Sequence, residues 1–109
     1  MTSPTVLGAV GHIVEVGGDP EDVLQAAVTT LVEHGGAKWA AVLFNDEGEL
    51  LVGPHAGAAE PGERRTAAIV HEGARLGELA VDGLDDQQLI EQVAALVAPY
   101  CVRPDALLL

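Results

Sequence analysis

Of the side chains in this 109-residue chain that could do acid–base or metal chemistry, a histidine and two glutamates fall together on one short stretch that reads as a hairpin. Val70 to Asp82 reads VHEGARLGELAVD, two strands folded over a glycine turn that carry His71 and Glu78. With Gly73-Ala74 as a two-residue turn, Glu72 pairs with Arg75, His71 with Leu76 and Ile69 with Glu78. Paired residues share a face, so Ile69, His71, Leu76, Glu78 and Ala80 are expected on one side of the hairpin. Ala68, Val70, Gly77, Leu79 and Val81 fall on the other. The second set is apolar or small and is expected to meet helices, whereas the first carries Glu78 and is expected to stand open. His71 and Glu78 then lie diagonally adjacent, with Ile69 and Leu76 beside them. These four residues are either a small ligand-binding site built on a pH-sensitive pair, or the wet side of an ordinary sheet.

The remaining candidates carry less. His12, His34, His55 and His71 lie on different segments and make no HxH or HxxxH pair, so no metal site is expected. Ser3 is the single serine, which leaves no serine nucleophile beside a base. Cys101 lies on an apolar helical stripe and reads as a buried thiol. The segment GPHAGAAEPG, residues 53–62, has glycines but lacks the Gly-Lys-Ser/Thr core of a phosphate loop. Arg64 and Arg65 are expected to pair with Glu60 and Glu63. No catalytic constellation and no cofactor site emerges.

Composition narrows the partners. The formal net charge of −12 repels phosphate backbones and anionic lipid heads, so neither nucleic acid nor membrane is an expected partner. One cysteine excludes a disulfide framework within the chain and fits a cytoplasmic protein. The sequence shows no leader pattern and no run of the ~20 apolar residues that span a bilayer. At 49% hydrophobic and 20% charged, residues 1–109 are expected to form a single globular domain. With aromatics at 3%, its core must be built from Ala, Val and Leu.

The elements that position these residues can be read in order. Ser3 and Pro4 suit the start of a helix running to Val16, ended by Gly17-Gly18. Asp19-Pro20-Glu21-Asp22 is a strong helix start: a cap, a first-turn proline and two acids at the positive end of the dipole. Gly35-Gly36 stops that helix. Trp39 to Phe44 is apolar on both faces, as a central strand requires, and Leu50 to Val52 returns after a turn through Gly48. Gly53 and Pro54 are expected to close that strand, with a loop from His55 to Glu63. Thr66–Val70 and Leu76–Val81 are further strands. Asp85 is expected to cap the last helix with Gln88 as its capping-box partner, and Pro99 to end it. The tail from Arg103 ends in three leucines and is expected to pack on its own domain or on a partner. The order predicts an α+β fold: an antiparallel sheet of about four strands in two hairpins, with N-terminal helices and a C-terminal helix on one face.

LQAAVTTLVEHGGAKWAAVLFNDEGELL, followed by IVHEGARLGELAVDGLDDQQLIEQVAALVAP, resembles the GAF domain family. The matching parts are Trp39 to Val52, Ile69 to Asp82 and Asp85 to Pro99, and the resemblance covers residues 20–99. It implies a GAF-like, profilin-related fold and a sensory or regulatory role without catalysis. Such domains commonly dimerise through their terminal helices, which implies a homodimer. The family usually places extra segments between the two hairpins as the lid of a ligand pocket, and here only residues 55–65 stand there. A lidless sheet face is expected to receive a protein partner, a second copy or a small ligand. The cysteines of the family's free methionine sulfoxide reductases have no counterpart, since Cys101 lies beyond the last helix and lacks a partner for exchange. The pocket cysteine of its bilin-binding members and the Asn-Lys…Phe…Asp-Glu motif of its cyclic-nucleotide members are also missing. Two alternatives remain: a small redox enzyme of the sulfoxide-reductase type, and a roadblock-like subunit regulating a GTPase. The roadblock order puts a helix between the second and third strands, where this chain has a Pro-Gly loop.

Overall fold

The computed structural model describes residues 6–101. Helix α1 (Val6–Val16) and helix α2 (Pro20–Glu33) precede strands β1 (Trp39–Asp46) and β2 (Glu49–Gly57). A 3-10 turn (Pro61–Glu63) leads to β3 (Arg64–His71) and β4 (Ala74–Asp82), then to α3 (Gln87–Val97) and a second 3-10 turn (Ala98–Cys101). The four strands form one sheet in the order β2-β1-β4-β3, every neighbour antiparallel. The predicted α+β architecture is the one observed. The Ser3–Pro4 start and the Leu-rich tail fall outside the described residues.

The three helices share a core with one face of the sheet. Ala40 and Val42 of β1, Ala67 and Ile69 of β3, and Leu79 and Val81 of β4 pack with Val10, Leu24, Val28, Leu31, Ile90, Val93 and Val97. The small side chains expected from composition serve this layer, because Ala and Val let helices settle close to the strands. Asp19 caps α2 as expected, accepting from the Glu21 N–H at 3.0 Å. The last helix differs by one residue. Asp86, not Asp85, accepts the Leu89 N–H at 3.1 Å, and Asp85 pairs with Arg65 instead.

Strand β2 also departs from expectation. It runs through Gly53-Pro54 to Gly57, and the loop shrinks to residues 58–63. Pro54 is tolerated because β2 is an outer strand and the ladder shifts register there: Ala41 pairs with His55 and Leu43 with Val52. A proline at a bulge on a sheet edge forfeits no ladder hydrogen bond, so it does not end the strand.

Candidate functional site

Register decides which side chains reach the uncovered face. Both hairpins turn on a Glu-Gly pair in the left-handed region: Glu47 and Gly48 at φ 51° and 87°, Glu72 and Gly73 at 52° and 81°. These are the two positive φ values that the tightest hairpin turn demands. The second turn therefore lies at Glu72-Gly73, one residue before the predicted Gly73-Ala74. His71 pairs with Ala74, Val70 with Arg75, Ile69 with Gly77 and Ala68 with Glu78, with Leu76 as the extra residue of a bulge.

This slip reverses the expected facing of β3, since one step in register moves a strand's side chains to the other side. Ile69 is buried in the helical core, Leu76 packs against that core, and His71 follows Ala67 and Ile69 on the same side. Of the four predicted site residues, only Glu78 stands on the open face. His71 and Glu78 are not neighbours. His71 Nε2 lies 4.0 Å from Glu72 Oε1, and Glu78 Oε1 accepts from Arg75 Nη2 at 3.1 Å. On β4 the facing is as expected only after the bulge, with Leu79 and Val81 beneath the helices and Glu78 away from them; Leu76, expected beside Glu78, lies on the helical side instead.

The open face has two ends. At the end where residues 58–63 cross from β2 to β3, Gly57, Trp39, Asp82 and Arg64 form one row across the sheet. Asp82 is fully buried. It accepts from Arg64 Nε at 2.7 Å, from Arg64 Nη2 at 3.0 Å and from the Glu60 backbone N–H at 2.7 Å. The fork of Arg64 and the desolvated carboxylate match in shape, and no buried side-chain polar atom among the described residues lacks a partner. The Arg64 hydrogen bonds hold the Asp82 carboxyl below its ordinary range, against the opposing effect of burial. The same guanidinium lies 4.5 Å from the centre of the Trp39 ring. Trp39, Ala41 and Ala80 form a small buried cluster there, with Leu43 packed against it. The crossover is held further by Ala58 N–H to Lys38 O at 2.9 Å and by Lys38 Nζ to Glu63 Oε2 at 2.6 Å. The expected pairing of Arg64 and Arg65 with Glu60 and Glu63 is thus replaced. Arg64 takes Asp82, Arg65 takes Asp85, and Lys38 takes Glu63.

At the other end, beside the two turns, none of the described residues covers the face. Val52, Leu43, Glu78 and Ala68 form a row across the strands, and Leu50 and Val70 lie one step further out on the same side. Val52 is 62% exposed, Val70 49% and Leu50 47%, large values for aliphatic residues in strands. The loop between the hairpins does not reach them.

Two concave regions lie elsewhere. A groove of about 640 Å³ runs between the first turn of α2 and β2, lined in part by Leu24, Phe44, Leu51, Tyr100 and Cys101. The Cys101 thiol is 2% exposed, and burial pushes its pKa up to about 12. A second hollow, between α1 and α3, is lined by Leu7, Gly11, Ala95 and Leu96 among others. Among the described residues no three His, Cys, Asp or Glu side chains gather as a metal-binding group, and no helix is long and apolar enough to cross a membrane.

This arrangement is a known one. The chain superposes on a GAF domain of a phosphoenolpyruvate-protein phosphotransferase from Acinetobacter with a TM-score of 0.71, at 10% identity, covering 93% of each chain. The fold is GAF-like. A free methionine-R-sulfoxide reductase from Neisseria meningitidis, solved with its substrate, is similar with a TM-score of 0.72 at 15% identity, covering 88% of this chain and 86% of that one. No family model and no curated protein matches the sequence.

Proposed function

We propose that this chain is a non-catalytic GAF-type regulatory module. In this reading it acts by protein contact through the bare end of its sheet and self-associates through α1 and α3. The observation that carries it is the exposed aliphatic set Leu50, Val52 and Val70, at an end of the sheet that no described residue covers. A small ligand there would have walls on one side only, whereas ligand pockets enclose most of their guest. The hollow between α1 and α3 supports self-association, because its lining is uncharged: Leu7 and Leu96 offer apolar contact, and Gly11 and Ala95 leave room for a second copy. Static light scattering across micromolar concentrations tests the dimer, and a monomer throughout removes it.

The reductase neighbour motivates a second reading, a redox enzyme using Cys101. A nucleophilic thiol needs a lowered pKa and access, and this one has burial and a raised pKa. Thiol labelling of the native protein separates the readings. Rapid modification of Cys101 would favour the enzyme; none until denaturant is added favours the module.

A further inference from the structure

The two ends of the open face differ in charge as well as in cover. Residues 43–52 and 68–78, which build the bare end, hold five carboxylates, Asp46, Glu47, Glu49, Glu72 and Glu78, against the single guanidinium of Arg75. Glu47 and Glu72 are exposed at the turn tips beyond Leu50 and Val70, and Glu78 lies on the face itself; Asp46 and Glu49 are exposed beside the first turn but alternate to the other side of the sheet. An aliphatic patch with an acidic border constrains what can sit on it. A second copy docking face to face would bring two such borders together, and like charges across an interface oppose association.

The sheet edges are poorly suited to an added strand. On β2, Pro54 has no N–H to offer, and the His55 carbonyl already accepts from Gln25 Nε2 at 2.9 Å. On β3, the Thr66 carbonyl accepts from Gln87 Nε2 at 2.9 Å. An extended peptide would find both ladders interrupted. The face itself remains. Three inter-strand spacings make it ~14 Å wide, and an amphipathic helix places apolar anchors at i, i+4 and i+7 over ~10 Å.

We infer that the occupant of the bare end is a basic amphipathic helix of another protein, its aliphatic side over Leu43, Leu50, Val52 and Val70 and its Lys or Arg residues against the acidic turns. This rests on the reading of that face as a protein-contact surface, and it names the partner's chemistry.

The test is a titration of isotope-labelled protein, followed by amide shifts, with three synthetic 18-residue helical peptides. One is Lys/Leu amphipathic, one has Glu in place of Lys, and one has the same Lys positions with Ser in place of Leu. Only the Lys/Leu peptide is expected to bind, shifting the amides of residues 43, 50, 52, 68 and 70. Its affinity should fall about tenfold between 0.05 and 0.5 M salt. Val52→Asp should abolish binding, and Glu47→Lys with Glu72→Lys should shift preference toward the Glu/Leu peptide; all three changes lie at exposed positions. Equal binding of the Lys/Ser peptide, or shifts confined to α1 and α3, overturns the inference. If the face instead answers to the Glu/Leu peptide or to the protein's own concentration, the basic partner is wrong and the contact surface stands. A face silent to every peptide and to concentration sinks both.

Discussion

The same four strands end in two unlike ways on one side of the sheet. Where the chain crosses from β2 to β3, a buried carboxylate gathers an arginine fork and a backbone N–H, and an indole closes over the row. At the turns, aliphatic side chains stand in water. The contrast shows that six residues of loop, 58–63, can close one end of a sheet without a helix, provided a charged pair anchors them. Among the described residues, the other end has no returning chain to anchor. Its turns are as tight as hairpins allow, so its exposure follows from topology rather than from loose packing.

The largest way to break the contrast is to remove the anchor. Asp82→Ala leaves the Arg64 guanidinium and the Glu60 N–H without their acceptor, and should cost about 3 kcal/mol in urea unfolding. A loss below 1 kcal/mol would mean that the pair does not hold the closed end. The same group gives a pH signature. Its folded pKa is lowered, so its stabilisation is complete above about pH 4, where the unfolded carboxyl is ionised, and is lost as pH falls through the folded value. The stability gap between wild type and Asp82→Ala should therefore be flat from pH 7 to 5 and narrow below pH 4. A gap that widens with acid contradicts this assignment.

Next in size is Gly77→Ala, which probes whether the bare end is tightly built. A Cβ there would clash with the Leu43 carbonyl oxygen, a backbone atom that cannot swing aside. The expected cost is about 2 kcal/mol, read from the denaturant midpoint. A neutral result would show that this end is loose after all. Arg64→Lys comes third, at about 1 kcal/mol, since an ammonium keeps the charge but loses the fork and the flat contact with Trp39. Smallest are Leu50→Ser and Val70→Thr, expected within about 0.5 kcal/mol because these side chains bury little. A larger loss at either would mean that the aliphatic patch supports the fold and is not spare surface.

Much of the fold could be read in residue types. Asp19-Pro20 marks the start of α2, because few other contexts favour a carboxylate and a proline side by side. Trp39 to Phe44 declares a central strand by being apolar throughout. The second hairpin was harder for a physical reason. HEGA allows a turn at Glu72-Gly73 or at Gly73-Ala74. The choice requires a glutamate to accept positive φ, and the cost of that is repaid only by burying Ile69. In the first hairpin Asp46 and Glu49 bracket Glu47-Gly48 with polar residues, so the ambiguity does not arise. The anchor has a signal in the sequence, though a faint one. Alternation from Glu78 through Ala80 carries Asp82 to the same face, and a carboxylate closing an otherwise apolar strand asks for a cation. Proximity in sequence points Arg64 to Glu60 and Glu63, whereas its partner lies across the sheet.

The interrupted edges of β2 and β3 bear on how the protein behaves when crowded. Strands with aliphatic residues in water are the usual seeds of fibrils, which grow by adding backbone to backbone along an open ladder. Pro54 spoils one ladder, and the side-chain amides of Gln25 and Gln87 occupy carbonyls on both. The greasy patch can therefore stay available for recognition while the route to amyloid growth is obstructed at either margin.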